Sequence, residues 1–325
     1  MGALDHQLMV GDEVTYGTPV TPSRGFEYES ESIGETYGRT EGDPLRVGSS
    51  VVRSDRFTPY FSGANGTVQM AVMTKGFGWW LKHLLGTVAT AGPTDTVYTH
   101  TGTEGSLFGK SFTLQVNRPF HPSGANQAFT YEGGKVASWS LTNSVNANLI
   151  FEATCDFENV STATPLATAS YPASMDNFTW AGGVITIGGA SYDVTEFAFN
   201  WDNGYNLDRR QIRGNTDKKE PTSSRREGTF SLSADFDSLA QRNRAASNSR
   251  AGALAAITAT WTGPVLAGTT TYPALTLTVP AGRFDEWSGA TEGTDAISQS
   301  LSGVVRYDGT NSPVSISYKT ADSTP

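Results

Sequence analysis

Gly66-Thr67-Val68-Gln69-Met70-Ala71-Val72 and Gly228-Thr229-Phe230-Ser231-Leu232-Ser233-Ala234 carry one alternation of polar and apolar residues, position for position, at an offset of 162 residues. A period of two marks a strand with one buried face. Recurrence at a fixed offset makes the chain a tandem of two similar units, too few copies for a solenoid. A short helix is expected after each strand. In the first, Thr74 is placed to cap it, Phe77, Trp80, Leu81, Leu84 and Leu85 share a face, and Gly86 ends it. In the second, Asp237 or Ser238 caps and Leu239 stands where Phe77 stood. Farther on, Ser138-Trp139-Ser140-Leu141 aligns with Ser298-Gln299-Ser300-Leu301 at an offset of 160, and Leu149-Ile150-Phe151 with Val314-Ser315-Ile316 at 165.

The rest of the chain reads the same way. Phe112, Leu114 and Val116 alternate with Thr113 and Gln115, and Leu275, Leu277 and Val279 alternate with Thr276 and Thr278, which predicts half-buried antiparallel strands. With 325 residues and 35 glycines, the chain has length for two domains and a composition of strands and turns. Residues 161–174 are small, polar and broken by Pro165 and Pro172, as a linker is. The expected organisation is an N-terminal arm at residues 1–25, a first unit at 26–165, a linker at 166–174 and a second unit at 175–325.

A net charge of −9 argues against tight nucleic-acid binding, which needs Lys and Arg to displace phosphate counterions. One cysteine, Cys155, forms no internal disulfide and reads as a small buried side chain. Neither a basic, apolar leader nor a run long enough for a membrane helix stands in the sequence, so cytoplasmic synthesis and no membrane partner are expected. His6, His83, His100 and His121 lack metal-ligand spacing, and His83 reads as packed or half-exposed. Asp235 and Asp237 share a strand face but stand where a helix cap belongs. Asp202-Asn203-Gly204 lacks the glutamate of a calcium loop and reads as a turn. No catalytic, metal or cofactor site is expected, and the chain reads as a non-enzyme.

Two long polar stretches each precede a strand-helix pair, at residues 34–58 and 202–226. The first carries Arg39, Glu41, Asp43, Arg46, Arg53, Asp55 and Arg56; the second carries Asp208, Arg209, Arg210, Arg213, Asp217, Lys218, Lys219, Glu220, Arg225 and Arg226. Stretches of this length inside compact domains are functional more often than idle. Mixed charge at this density suits either a solvated arm or an arm ordered against a neighbouring subunit. One such arm per unit favours the second account and makes these residues candidates for contacts between subunits or rings.

Several segments together resemble the tail tube proteins of long-tailed, siphovirus-like bacteriophages. They are Asp12-Glu13-Val14-Thr15-Tyr16-Gly17-Thr18-Pro19, Phe26-Glu27-Tyr28-Glu29-Ser30-Glu31-Ser32, Arg53-Ser54-Asp55-Arg56 and Lys75-Gly76-Phe77-Gly78. The likeness continues through Tyr98-Thr99-His100-Thr101, Gly109-Lys110-Ser111-Phe112-Thr113-Leu114-Gln115-Val116 and Phe129-Thr130-Tyr131-Glu132-Gly133-Gly134-Lys135-Val136. Ser170-Tyr171-Pro172-Ala173-Ser174 and Asp202-Asn203-Gly204 extend it, so that it covers roughly residues 12–265. The resemblance implies a mainly β fold of two tandem β-sandwich or partial-barrel units, each with one short α-helix. It implies subunits that join sheets into rings, and rings that stack into a channel for DNA ejection.

Rings of the family are usually sixfold with one unit per subunit, so a two-unit chain implies a trimeric ring of pseudo-sixfold symmetry, with a hexamer of whole chains as the alternative. The partners implied are the chain itself, the tape measure, tail terminator and distal tail proteins, and DNA that passes without specific binding. The location implied is the virion tail, assembled in the host bacterial cytoplasm.

The rival readings are a carbohydrate-binding β-sandwich and another virion part, either a tail terminator or a decoration protein. The first would set an exposed platform among Trp79, Trp80, Trp139, Trp180, Trp201, Trp261 and Trp287.

Overall fold

A computed structural model describes the chain except for residues 1–4, 43–46, 49, 122, 213, 215–216, 247–253, 267–268 and 291–296. In chain order it begins with β1 (Leu8–Asp12), β2 (Arg24–Phe26), β3 (Ser30–Glu31), β4 (Gly34–Glu41) and β5 (Phe57–Ala71). Helix α1 (Gly78–Leu85) leads to β6 (Gly86–Thr94), β7 (Val97–Glu104), β8 (Phe112–Asn117), β9 (Ala128–Ser144), β10 (Ile150–Phe157) and β11 (Asn159–Ser161). Then come β12 (Gly183–Ile187), β13 (Ala190–Ser191), β14 (Glu196–Asp202) and β15 (Glu227–Asp235). Helix α2 (Ala240–Ala246) precedes β16 (Leu254–Thr262), β17 (Ala274–Ala290), β18 (Ser298–Val305) and β19 (Ser315–Thr320). The fold is mainly β, with antiparallel pairing that does not close on itself.

One pairing scheme occurs twice. In the first half β5 pairs β10, β10 pairs the C-terminal part of β9, and the N-terminal part of β9 pairs β8, which pairs β1. In the second half β15 pairs β18, β18 pairs the C-terminal part of β17, and the N-terminal part of β17 pairs β16, which pairs β12. β9 and β17 are each 17 residues long, so one strand serves two neighbours at different points along its length.

This pairing bears on the alignments read from the sequence. β5 and β15 hold matching places, as the offset of 162 requires. The other two alignments are corrected: Ser138-Leu141 lies in β9 and Ser298-Leu301 in β18, whereas the strand placed like β18 is β10. Ile150 and Phe151 begin β10, and Ser315 and Ile316 begin β19, a strand of different pairing. Short runs of serine and leucine recur by chance in a serine-rich β protein, and only the pairing separates them.

The helices differ from expectation too. No side chain caps α1, whose N-cap is Phe77; Thr74 is instead tied to Asp176, its amide donating to the Asp176 carbonyl and its hydroxyl accepting from the Asp176 amide. Gly86 ends α1 as expected, at φ 102°, a conformation glycine adopts without a Cβ clash. Phe77 is 3% exposed but Leu239 is 57% exposed, so the two are not equivalent in packing. Trp80 is fully buried and meets Trp79 and Phe151 at ring-centroid distances of 5.0 and 5.3 Å, which anchors α1 to β10. β8 is buried on both faces rather than one, because Gln115 bonds Thr130 and the 165–167 segment while Thr113 donates to Glu13.

Residues 8–12, within the expected N-terminal arm, form β1, with Leu8, Met9 and Val10 wholly buried. Most of the buried apolar side chains form one cluster from Leu8 to Tyr318. The C-terminal strand completes it: β19 pairs both β17 and β7, and the Tyr318 hydroxyl donates to the Met73 carbonyl.

Candidate functional site

Two features could serve assembly: the seam where the second half of the chain meets the first, and the two arms. At the seam, β14 pairs β15 on one side and β9 on the other. The register with β9 runs from Glu196 opposite Ser144 to Asp202 opposite Ser138. Phe197, Phe199 and Trp201 point to the core, where Phe199 meets Trp139 at 5.3 Å and the Trp201 indole donates to Asn203. The pairing therefore carries one sheet without interruption through β5, β10, β9, β14, β15, β18 and the C-terminal part of β17.

The face of this sheet turned away from the core is mostly polar, with Ile150, Ala198 and Val304 as apolar positions among the polar ones. It presents Thr67, Gln69, Glu152 and Thr154 from β5 and β10, and Ser138, Ser140 and Thr142 from β9. Asn200, Asp202, Glu227, Thr229 and Ser231 follow from β14 and β15, then Ser300, Ser302, Glu286 and Ser288 from β18 and β17. Arg283 stands at its margin and is paired with Asp285 at 2.6 Å. Among the described residues, short hydroxyl side chains and scattered carboxylates, with Arg283 already paired, give a surface that repels phosphate more than it holds it.

The second arm is an extension of the β14–β15 hairpin. Ser224 donates its amide to the Gly204 carbonyl, Tyr205 bridges Ser223, and Lys219 donates to Arg209. Several of its charges are spent on the first half of the chain. Lys218 Nζ lies 2.7 Å from Asp156 Oδ1, both side chains under a tenth exposed. Glu220 pairs with buried Lys135, whose ammonium also donates to the carbonyls of Leu107 and Lys110. Arg226 donates to the Gly105 carbonyl at 2.6 Å and faces Glu104 at 3.5 Å. Arg210 bonds Asp208 and the Ser62 carbonyl, and Arg209 bonds the Glu220 carbonyl. Burial pulls the Lys135 ammonium down and pushes the Asp156 carboxyl up, and each partner opposes the shift. Lys219 is half-buried, Arg225 and Asp217 are exposed, and Arg213 lies outside the described residues.

The first arm extends the β4–β5 hairpin in the same way and stands out in solvent. Arg53 and Arg56 both pair with Asp55, at 3.0 and 3.6 Å, all three exposed. Arg39 lies over the Phe57 ring and Glu41 is exposed; Asp43 and Arg46 lie outside the described residues. Tyr37, Val47 and Phe57 are 68, 98 and 48% exposed, an apolar display that an arm spent on its own chain would hide.

Sequence reasoning missed Lys135, Asp156 and the pair Asp12–His83. A charge at a core-spaced position, Lys135 before Val136 and Asp156 between Cys155 and Phe157, is the signal that could have found the first two. Of the two readings of His83, packed or half-exposed, the structure shows the packed one, and its Nε2 lies 2.8 Å from Asp12 Oδ1 while Lys82 reaches the other oxygen at 2.7 Å. Burial opposes charge on Asp12, but His83 and Lys82 outweigh it and hold the carboxyl far below its ordinary range. Burial lowers His83, against the pull of Asp12.

Five of the seven tryptophans, Trp79, Trp80, Trp139, Trp201 and Trp261, are buried, Trp287 is partly so, and Trp180 alone is exposed, so they form no sugar-binding platform. Among the described residues no three His, Cys, Asp or Glu side chains gather as metal ligands, and no helix is long and apolar enough to cross a membrane. A family model described as phage tail tube protein matches residues 3–305. No curated protein matches the chain.

Proposed function

The chain belongs to the phage tail tube protein family, a family of structural virion proteins that assemble into the tail, and from that premise we propose how this member builds its tube. Residues 26–165 and 175–325 act as two building blocks of one ring. Three chains close the ring with pseudo-sixfold symmetry, and rings stack into a channel through which DNA leaves the capsid. The subunits polymerise in the host cytoplasm around the tape measure protein, between the distal tail and terminator proteins.

The observation that carries this reading is the β14–β9 seam, where one half of the chain adds its sheet edge to the other. A sheet joined edge to edge around an axis has no exposed edge left, which is the physical gain from ring closure. The polar, carboxylate-bearing face would line the bore. Duplex DNA carries one negative charge per about 1.7 Å of axis, so such a wall lets it slide while a basic one would hold it. The arms, 34–58 and 202–226, supply contacts beyond the sheet, the first reaching a neighbouring chain or ring.

Symmetry analysis of electron micrographs of the concentrated protein or of virion tails tests the proposal. Rings of three chains are expected. Six whole chains per ring would overturn the trimer, and a protein that stays monomeric at every concentration would overturn the tube.

A further inference from the structure

The doubled pairing scheme leaves two strand edges without the partner that their counterparts have. β14 lies along β15 as the segment holding β3 lies along β5: Ala198 faces Ser231 and Ser30 faces Gln69, and Gln69 is the counterpart of Ser231 at the offset of 162. Ser30 is therefore the counterpart of Ala198. Likewise Leu141 faces Phe151, which faces Met70, while Trp287 faces Leu301, which faces Leu232, so Trp287 is the counterpart of Leu141. The outer edge of β14 is paired with β9 inside the chain. Among the described residues, no strand pairs the outer edge of β3, nor that of β17 beyond Arg283.

We propose that these two open edges pair with each other between successive copies of this chain, β3 of one against the C-terminal part of β17 of the next, in the register that β14 and β9 already display. That register sets Ala198 opposite Thr142, so between chains it sets Ser30 opposite Ser288, Glu31 opposite Trp287 and Ser32 opposite Glu286. Burial supports it independently. Ser30 and Ser288 are both exposed, as are Ser32 and Glu286, so the pairing aligns outer face with outer face and continues the polar wall; a slip of one residue would mix the faces. The contact is head-to-tail, as a ring requires.

The free edge of β3 is protected just beyond its end, at Ile33. The Ile33 amide donates to its own neighbour Glu31, and the Ile33 carbonyl accepts from Arg118, which also pairs with Glu31 at 2.8 Å. Side-chain cover of this kind keeps an edge from recruiting strands at random.

This inference rests on the tube reading, and cysteine cross-linking separates their failures. Ser30→Cys with Ser288→Cys, in a Cys155→Ser background, is assembled, oxidised and run without reductant. Directly opposed, non-hydrogen-bonded cross-strand residues have Cα atoms about 4.5 Å apart, within disulfide reach. Covalent dimers and trimers are expected from the double variant and from neither single variant. Ala198→Cys with Thr142→Cys, which should close within one chain, is the positive control. Tubes that form in micrographs but yield no interchain bond, while the control closes, overturn the register and leave the tube intact. A chain that never assembles overturns both.

Discussion

Lys218 and Asp156 lie 62 residues apart in sequence, yet their charged atoms meet at 2.7 Å in a setting that admits almost no water. The pair fastens the second arm to β10 of the first half. Removing one member leaves a buried charge without compensation, which costs about 3–5 kcal/mol. Asp156→Ala should therefore lower unfolding free energy by that order in urea titrations. Asp156→Leu with Lys218→Met should lose much less, and equal losses from single and double variants would contradict the pairing.

The first arm behaves differently, because Val47 and Phe57 meet solvent. Val47→Asp with Phe57→Ser should change folding stability by less than about 0.5 kcal/mol, as exposed substitutions do. Tube formation should fall sharply, read as the length distribution in micrographs at matched concentration. Unchanged tubes would show that this arm is merely solvated.

The polar wall predicts a gain of function. Glu152→Lys, Glu196→Lys and Glu227→Lys together turn three carboxylates per chain into cations along one face of the sheet. Assembled variant tubes should retain short duplex DNA at low salt and release it as salt rises, since cations that neutralise phosphates make affinity steeply salt-dependent. Native tubes should retain none under either condition. Variant tubes indifferent to DNA would place this face outside the bore.

Acid should weaken the fold through Asp12 and His83. His83 is held below its ordinary 6.5, chiefly by burial, so its contribution is present above 6.5 and lost as pH falls through the lower folded value. Asp12 is held below 3.8 by His83 and Lys82 despite burial, and its contribution is likewise present above 3.8 and lost below. Both signs agree: unfolding free energy should decline on acidification from neutrality. Asp12→Asn should flatten the decline below 3.8 and steepen that beginning at 6.5, because Asp12 favours the protonated imidazole.

The amino-acid pattern was enough to reveal β5, β15 and the helices after them, because alternation against one core face leaves its mark at each position. It was enough as well for the arms, whose charge density has no place in a core. Partner choice was another matter. Nothing in Ser298-Gln299-Ser300-Leu301 says which strand it borders, and the alignment with Ser138-Leu141 put β18 in the place of β9. The destination of the arms was equally hidden: Lys218 and Arg53 look alike in the sequence, but one is buried against Asp156 and the other stays in solvent. Long-range pairing decides such matters, and local composition does not encode it.

The pairing of β19 with β7 sets Thr320 opposite Tyr98, and just beyond it the His100 ring is hydrogen-bonded at 2.9 Å to the Asp322 carbonyl, 222 residues away. During translation β7 must wait until residues 315–320 have been made before its second neighbour exists. Unfinished or prematurely released chains lack the strand that seals the early part of the fold. The early part of the fold is thus held open by its own topology until a distant segment arrives to close it.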